Sequence, residues 1–334
     1  MKNPSAVLRG IGEVAIEERP VPVPAPHEVL VAVRATGICG SDVHYYEHGR
    51  IGDFVLDAPM VIGHESAGVI TAVGADVDAG RIGQTVALEP GVPCRRCEQC
   101  RAGRYNLCPD VVFFATPPVD GSIAGFVAID ADFAHRAPDG MAFEQAAMAE
   151  PVSVGVWAAR KAGITAGDRV LVTGAGPIGL FAAQVARAHG ASEVTVTDLS
   201  PYRLDVARGL GFTAVPAGDT PPDGQTVLLE CSGAQPAVAS GLRALAPAGR
   251  AVLVGMGADE LTLSAPLIQG RELSITGVFR YANTYPTALA LIASGAVDTA
   301  PLITHRFPLE ETEAALTLAR REPESLKAVV LHGG

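Results

Sequence analysis

The distribution of apolar residues along the chain changes its period near residue 151. Before that point, residues 29–34 show a period of two, which predicts a β-strand that leads into Cys39. Apolar runs at 69–73 and 85–88 repeat this pattern between glycine and proline residues. Because short strands interrupted by glycine and proline are typical of β-rich folds, the sequence predicts a partly closed, β-rich first domain.

After residue 151, apolar runs of strand length alternate with helical stretches. We predict strands over 169–173, 193–197, 226–230, 250–254 and 273–278, and helices over 153–162, 180–189 and 234–245. This alternation predicts a doubly wound parallel sheet with helices on its faces. Residues 212–225 contain glycine and proline where a crossover helix is expected, so we predict a short non-helical connection at one outer edge of that sheet.

The last fifty residues mix further helices and strands. We predict helices over 287–294 and 311–320 and a strand over 328–331. Because the parallel sheet is complete before them, these elements are expected to rejoin the first domain. A chain of 334 residues suits two domains. We therefore predict an α/β protein with one domain formed by residues 1–151 and 284–334 and a second formed by residues 152–283.

Composition and charge restrict the cellular compartment and the classes of binding partner that the sequence predicts. The net charge of −11 and the pI near 5.2 argue against a nucleic-acid surface and against binding to an anionic membrane. No apolar run reaches the roughly 20 residues that span a bilayer, and residues 1–30 lack a signal-peptide core. We therefore expect a cytoplasmic protein that acts on a small molecule.

Four of the six cysteines lie within residues 92–109. They follow the spacing C-x-x-C-x-x-C-x7-C, as Cys94, Cys97, Cys100 and Cys108. In a reducing compartment this spacing indicates a metal rather than disulfides, and four thiolates fill a tetrahedral zinc site completely. The site is therefore predicted to be structural. An iron–sulfur cluster fits the ligand type, but no other part of the chain calls for an electron relay.

A second set of metal ligands is spread over the first 150 residues. Cys39 and His64 supply a thiolate and an imidazole, and either Glu65 or Glu150 supplies a carboxylate. Three protein ligands leave one position open for water or substrate, which is typical of catalytic zinc. Glu65 directly follows His64, so both can face one ion only if the strand twists or bulges there. A lone buried histidine is usually only hydrogen-bonded, but the converging ligand types favour a metal here.

The strand predicted at 169–173 runs into a glycine-rich turn. This turn comprises Gly174, Gly176, Pro177, Ile178 and Gly179. A G-x-G-x-x-G between a strand and a helix predicts a helix N-terminus that receives the pyrophosphate of a dinucleotide. Asp198 lies nineteen residues beyond Gly179, where a carboxylate binds the ribose hydroxyls and repels a 2′-phosphate. This favours NAD over NADP, and Arg203 is the one nearby cation that could blur the preference. Cys231 has no ligand partner nearby and is expected to be an inert buried thiol.

These motifs together resemble the zinc-dependent medium-chain alcohol dehydrogenases. The resemblance rests on residues 37–45, on residues 63–65, on the four cysteines and on the Gly174 turn. Segments 45–52, 114–118 and 277–281 are similar to the sorbitol and xylitol dehydrogenase subgroup. Animal sorbitol dehydrogenases lack the full four-cysteine segment, so the chain resembles the microbial members, and the short 212–225 connection is not typical of either.

The resemblance implies a GroES-like catalytic domain, a Rossmann domain, two Zn²⁺ ions per subunit, NAD and a homotetramer. It implies that Cys39, His64 and Glu65 hold the catalytic zinc with a water, with Glu150 beside it. It places Val278 and Phe279 against the cofactor, and it places the following residues at substrate-pocket positions: Ser41, Tyr45, Phe113, Thr116, Arg280 and Tyr281. Ser41, Glu150 or a bound water would carry the hydroxyl proton away. The implied activity is oxidation of a secondary hydroxyl of a polyol to a ketose.

Three rival interpretations differ in class. A threonine, sugar or simple alcohol dehydrogenase of the same family shares the fold, the metals and the cofactor but differs in the pocket. A zinc-free quinone reductase of the same fold leaves Cys39, His64 and Glu65 without a role. A regulatory protein that reuses the fold has no need for two complete ligand sets and a nucleotide turn.

Overall fold

The computed structural model describes residues 2–257 and 260–333, and the chain divides into two compact units. The first unit comprises Met1–Glu150 and Leu302–Gly334, and the second comprises Pro151–Pro301. Residues 284–301 group with the second unit, whereas the domain prediction placed them in the first.

The first unit is built mainly from short strands. These are β1 (Pro4–Gly10), β2 (Glu13–Glu18), β3 (Glu28–Gly37), β4 (Arg50–Ile51), β5 (Phe54–Val55), β6 (Met60–Val61), β7 (Glu65–Val73), β8 (Thr85–Leu88), β9 (Gly91–Val92), β10 (Val112–Phe113), β11 (Phe126–Asp130) and β12 (Ala134–Arg136). The helices are α1 (Gly40–His48), α2 (Glu98–Arg101), α3 (Phe143–Ala147) and α4 (Ala149–Ala162), the last of which continues into the second unit. The predicted strands at 69–73 and 85–88 are confirmed as parts of β7 and β8.

The second unit alternates strands and helices. Its strands are β13 (Arg169–Thr173), β14 (Glu193–Asp198), β15 (Thr213–Pro216), β16 (Gln225–Glu230), β17 (Leu245–Leu253) and β18 (Ser274–Gly277). Its helices are α5 (Pro177–Ala188), α6 (Pro201–Gly209), α7 (Gln235–Ala244), α8 (Ala265–Arg271) and α9 (Tyr285–Ala293). All strand pairs are parallel, in the order β15-β14-β13-β16-β17-β18. The predicted doubly wound sheet is confirmed.

The chain then returns to the first unit. β19 (Ile303–Pro308) and β20 (Lys327–Leu331) flank α10 (Thr312–Leu316) and α11 (Leu318–Arg321). β20 pairs with β3, so the main sheet has the order β12-β8-β7-β3-β20-β19, with β11 also on β3. A separate sheet has the order β2-β1-β6. The predicted helix 311–320 is wrong in its continuity, because it breaks at Thr317.

Hydrophobic burial explains why these strands meet. β3 lies in the middle of its sheet and is buried along most of its length, which accounts for its apolar residues on both faces. Apolar side chains of β3, β7, β8 and β11 form one core, and side chains of β1, α1, α10 and β20 form another. In the second unit, the core lies between β13, β16, β17 and α7.

Two local features of the second unit follow from the sequence. Helix α5 begins at Pro177 rather than at residue 180, because proline at the first helical position has its φ angle already set and lacks only a donor that the helix would not use. Between β15 and β16 the chain passes through 217–224 without a helix, as predicted, and β15 is the edge strand. Within residues 2–257 and 260–333, no helix combines the length and apolar character needed to cross a membrane.

Candidate active site

Three side chains of the types that bind zinc converge in the first unit. One ligand atom each of Cys39, His64 and Glu65 lies within 4.8 Å of the other two. Cys39 immediately precedes helix α1 and lies two residues after Gly37, the last residue of β3. Glu65 is the first residue of β7. Register pairing places Gly37 opposite Glu65, so the central strands of the sheet bring these distant positions together.

The backbone break that the two adjacent ligands require lies at Gly63. Strand β6 ends at Val61 and β7 begins at Glu65, so His64 is in neither strand. Gly63 has a φ of +90°, and a Cβ there would lie 2.4 Å from Cγ1 of Ile123. Only glycine therefore fits, and its left-handed conformation turns His64 and Glu65 toward the same point.

Asp42 links the two segments that carry Cys39 and His64. Its carboxylate accepts hydrogen bonds from the backbone N–H of Cys39 at 2.9 Å and of Gly63 at 3.0 Å. Its Oδ1 also lies 3.6 Å from Nδ1 of His64. Burial alone disfavours the imidazolium, but the charges of Asp42 and Cys39 raise the pKa of His64 well above its ordinary value. The pocket thus favours positive charge, which suits a metal cation.

Lys327, at the start of β20, is a member of this site that the sequence analysis missed. Its Nζ lies 2.5 Å from Oε1 of Glu65 and donates to the carbonyl of Ile38 at 2.8 Å. The side chains of Lys327 and Glu65 are only 4% and 0% exposed. The one available sequence signal was a charged residue at the head of an otherwise apolar strand. Burial lowers the pKa of Lys327, but Glu65, Cys39 and Glu150 raise it above its ordinary value.

The second oxygen of Glu65 provides a test of whether a metal fits. Oε2 is buried and has no hydrogen-bond partner among residues 2–257 and 260–333, although a buried carboxylate oxygen without a partner is costly. A cation bound between Cys39, His64 and Glu65 would satisfy it. Glu150 is buried and close enough to influence Lys327, but it is not a member of the three-residue group.

The four cysteines of the 92–109 segment form a second, closed group. Their sulfurs all lie within 4.8 Å of one another, with Sγ–Sγ distances of 3.4 Å for Cys97–Cys100 and 4.0 Å for Cys94–Cys100. Tetrahedral zinc with Zn–S bonds of about 2.3 Å needs sulfurs about 3.8 Å apart. Backbone N–H groups of Arg96 and Cys97 lower the pKa of Cys94 to about 7, whereas burial raises the pKa of Cys100 to about 12.

The second unit carries the predicted glycine turn between β13 and α5. Gly174 has a φ of +91°, and a Cβ on Gly179 would lie 1.8 Å from the carbonyl oxygen of Gly174. Gly176 precedes the helix, and Pro177 and Ile178 form its first turn. The turn is therefore as tight as glycine alone allows, and the N–H groups at the start of α5 are available to an anion such as a pyrophosphate.

Asp198 ends β14, the strand beside β13. Its carboxylate accepts the backbone N–H of Ala175 at 2.6 Å and of Ser200 at 2.8 Å, so it also braces the glycine turn. Arg203 lies one turn into α6, and its Nε is buried without a hydrogen-bond partner among the described residues. Both side chains lie near the carboxyl ends of the strands, where dinucleotides bind.

The pocket residues predicted for the first unit lie on two segments. Ser41 and Tyr45 lie on α1, directly after Cys39, and Tyr45 is buried. The ring of Phe113 lies 5.8 Å from that of His64, which brings it to the metal-binding group. Thr116 follows in a turn in which its N–H donates to the carbonyl of Phe113.

The remaining predicted contacts lie after β18 in the second unit. The N–H of Val278 donates to the carbonyl of Leu253, and Phe279 is about half exposed. The guanidinium of Arg280 lies 4.8 Å from the ring centre of Phe279, and Arg280 itself has a φ of +53°. Tyr281 is buried against Tyr285.

Comparisons with known proteins agree with both units. Residues 25–139 match the alcohol dehydrogenase GroES-like domain, and residues 177–294 match the zinc-binding dehydrogenase family. The chain is 45% identical to sorbitol dehydrogenase from Mus musculus, over 96% of this chain and 93% of the relative. It is 43% identical to sorbitol dehydrogenase from Bacillus subtilis (strain 168), over 98% of this chain and 96% of the relative.

A solved structure extends the comparison to the cofactor. An Escherichia coli CFT073 alcohol dehydrogenase complexed with NADH has a TM-score of 0.92 and 30% identity, over 99% of both chains. The family matches confirm the predicted GroES-like fold and the zinc-dependent oxidoreductase class. The chain is 45% identical to the mouse relative over 96% of its length, and both of its units match family models. It therefore belongs to the zinc-dependent medium-chain dehydrogenase family, as its motifs indicated.

Proposed function

We propose that this enzyme oxidises a secondary hydroxyl of a polyol of the sorbitol and xylitol class to a ketose, with NAD as hydride acceptor. The observation that carries the proposal is the pairing of an open Cys39–His64–Glu65 group with a closed four-cysteine group. The names of the mouse and Bacillus relatives support the substrate class. We assign the first unit as the catalytic domain and the second as the cofactor domain.

Cys39, His64 and Glu65 are assigned to the catalytic zinc, and the four cysteines are assigned to a structural zinc. When bound, the catalytic ion supplies Lewis acidity that lowers the pKa of a substrate hydroxyl. The orphaned Oε2 of Glu65 supports Glu65 over Glu150 as the carboxylate ligand. Asp42 accepts from the backbone of both ligand segments and lies 3.6 Å from Nδ1 of His64, so it is assigned as the partner that orients this ring, a role common beside metal-bound histidines.

Proton removal is assigned to Ser41 or Glu150. Ser41 is only partly buried and lies two residues from Cys39, so it can pass a proton from the site toward solvent. Glu150 is buried in the same unit and lies close enough to Lys327 to raise the pKa of that lysine, so its carboxyl group is the second candidate acceptor of the proton.

NAD is proposed as the preferred cofactor, held by the turn of Gly174, Gly176, Pro177, Ile178 and Gly179. Asp198 already accepts two backbone hydrogen bonds, and its carboxylate is placed to accept the hydroxyls of a ribose diol as well. A 2′-phosphate would meet the same charge and be repelled. Arg203 is proposed to lie against the adenosine part, and Val278 and Phe279 are proposed to lie against the nicotinamide part.

Substrate contacts are proposed for Tyr45, Phe113, Thr116, Arg280 and Tyr281. Hydroxyl and guanidinium groups in this set can hydrogen-bond the hydroxyls of a polyol, and the aromatic rings supply apolar walls. A site of this kind rejects an analogue that lacks hydroxyls, because its own polar groups then remain unpaired. We further propose a cytoplasmic homotetramer without a nucleic-acid or membrane partner; sedimentation analysis tests the assembly.

The test of the substrate class is an NAD-reduction panel of xylitol, sorbitol, galactitol, threonine, glucose and ethanol. We expect a polyol to give the highest kcat/KM. A higher value for ethanol, glucose or threonine would assign the enzyme to another substrate class of the same family. Elemental analysis provides the companion measurement, with two zinc ions per chain expected and a single ion contradicting the two-site assignment.

A further inference from the structure

One buried carboxylate in the second unit has no role in the proposed chemistry. Glu230 is the last residue of β16, and its register partner is Thr173, the last residue of β13. The next strand in sequence, β14, lies on one side of β13 in the sheet, whereas β16 lies on the opposite side of β13. The pair therefore marks the point where the strand order reverses, and a crevice at the carboxyl ends of such strands is where doubly wound sheets bind ligands.

Glu230 is 1% exposed, and in the described part of the chain every donor to its carboxylate is a neutral group. Its Oε1 accepts from Oγ1 of Thr173 at 3.2 Å and from the backbone N–H of Ser232 at 3.0 Å. The hydroxyl of Ser232 also donates to Oε1, and Oε2 accepts from the backbone N–H of Gly233 at 3.0 Å. Among the described residues, no ion pair includes Glu230. A charge buried without a counter-ion has to be stabilised by such hydrogen bonds.

These bonds join loops whose backbones touch. A Cβ on Gly174 would lie 3.0 Å from the backbone nitrogen of Ser232, and one on Gly255 would lie 2.3 Å from that of Gly233. The backbone carbonyl of Glu230 accepts from the N–H groups of Val254 and Gly255, both at 2.8 Å. Glu230 therefore connects the loops that follow β13, β16 and β17 through both its side chain and its backbone.

We propose that Glu230 is a positioning residue that fixes the floor of the dinucleotide crevice. It holds the Gly174 turn against the 231–233 loop, so that the turn has its binding shape before the cofactor arrives. This inference rests on the proposed function only in taking the crevice as the cofactor site. Preorganisation of this kind strengthens binding because the loops have less freedom left to lose.

Glu230→Gln is the principal variant. The amide keeps one acceptor oxygen, but its NH₂ group meets the N–H of Gly233, so two donors face each other. We expect the Kd for NADH, measured by fluorescence titration of the zinc-loaded enzyme, to rise about tenfold or more, which is the order expected for a lost hydrogen bond to a charged group. NAD⁺ should weaken by the same factor, because the loops serve both forms.

Two further variants test whether weaker cofactor binding in Glu230→Gln comes only from loss of folding. Thr173→Val removes one donor with little change in shape, and it should raise the same Kd by a few-fold. Asp168→Asn is the matched control, since Asp168 is also a buried, hydrogen-bonded carboxylate but precedes β13 at the opposite end of the sheet. It should lower thermal stability and leave NADH affinity unchanged.

The outcomes separate the alternatives. Weaker binding of both cofactor forms in Glu230→Gln and Thr173→Val, with normal binding in Asp168→Asn, supports the inference. Unchanged binding in Glu230→Gln overturns it, as does equal weakening in Asp168→Asn. Weakening of NAD⁺ alone would also overturn it, because it would indicate attraction between the carboxylate and the cationic nicotinamide. Failure of the unaltered enzyme to bind NADH would instead refute the proposed cofactor.

Discussion

Replacing Lys327 by methionine should lower the free energy of unfolding of the metal-free enzyme and also lower its Kd for the catalytic zinc. Methionine is similar in length to lysine and suits a buried position, so the change removes chiefly the charge and the hydrogen bonds. In the metal-free protein, the variant leaves the carboxyl group of Glu65 buried and without its cationic partner. In the zinc-loaded protein, the ion itself would balance Glu65 if Glu65 is a ligand.

The size of the effect follows from burial. Breaking a buried ion pair by removing one partner costs about 3–5 kcal/mol. When zinc balances Glu65, the remaining loss is mainly the hydrogen bond from Lys327 to the carbonyl of Ile38, which is worth about 1–2 kcal/mol. The difference of about 2–3 kcal/mol must reappear in metal binding, so the Kd for catalytic zinc should fall about 30- to 150-fold.

The assay is urea unfolding with and without a chelator, together with zinc titration against a competing dye. Arg136→Met is the control, because the Arg136–Asp139 pair is on the surface with side chains 64% and 90% exposed, and its loss should cost at most about 1 kcal/mol in either form. Equal destabilisation of the loaded and metal-free Lys327→Met variant would refute the reasoning. It would mean that zinc does not balance Glu65, and Glu150 would then become the carboxylate ligand.

Three further outcomes are expected. Cys108→Ser should release one zinc per chain by elemental analysis and lower the Tm, because its sulfur belongs to the closed group; retention of both ions would contradict this. Asp198→Ala should narrow the ratio of kcat/KM for NAD over NADP, and an unchanged ratio would remove Asp198 from cofactor selection. Burial and Arg34 lower the pKa of His332 to about 3, so its contribution to stability is complete above pH 6.5 and is lost as the pH falls toward 3. Between pH 6.5 and pH 5 the loss is about 2 kcal/mol, and urea unfolding of His332→Gln should show a smaller decline.

Much of the fold was predictable because its elements carry local signals. The strands of the second unit are apolar runs separated by turn residues, and β13 matches its prediction residue by residue. The helix ends were less predictable: α4 begins at Ala149, four residues before the predicted start. The hairpin of β1 and β2 was missed, because its residues alternate weakly and are stabilised by pairing with each other and with distant β6. Such stabilisation is tertiary and leaves little trace in the local sequence.

The metal-binding groups were predictable for a different reason. Cysteines at C-x-x-C spacing and a histidine beside glycine restrict the chemistry whatever the surrounding fold, and in the structure the ligand atoms of each group lie within 4.8 Å of one another. The required backbone break is explained by Gly63, whose left-handed conformation the sequence alone did not reveal. Lys327 was missed because 262 residues separate it from Glu65, and only the pairing of β20 with β3 brings the two together.

Lys327 and Glu230 are two buried ionisable residues that sequence motifs could not identify. Each lies at the end of a strand in the middle part of its sheet, and each is deeply buried. Neither residue is part of the metal-ligand motifs or of the glycine-rich turn. Each instead hydrogen-bonds the segment that carries one of them: Lys327 contacts Ile38 beside Cys39, and Glu230 contacts Thr173 before the Gly174 turn. A buried charge is costly wherever it lies, so its retention beside a site requires partners that a hydrophobic residue could not bind. For Lys327 these are the Ile38 carbonyl and Glu65, and for Glu230 they are the N–H groups of the 231–233 loop. The sequence thus names the residues proposed to contact metal and cofactor, while the fold is needed to identify the residues proposed to hold them in place.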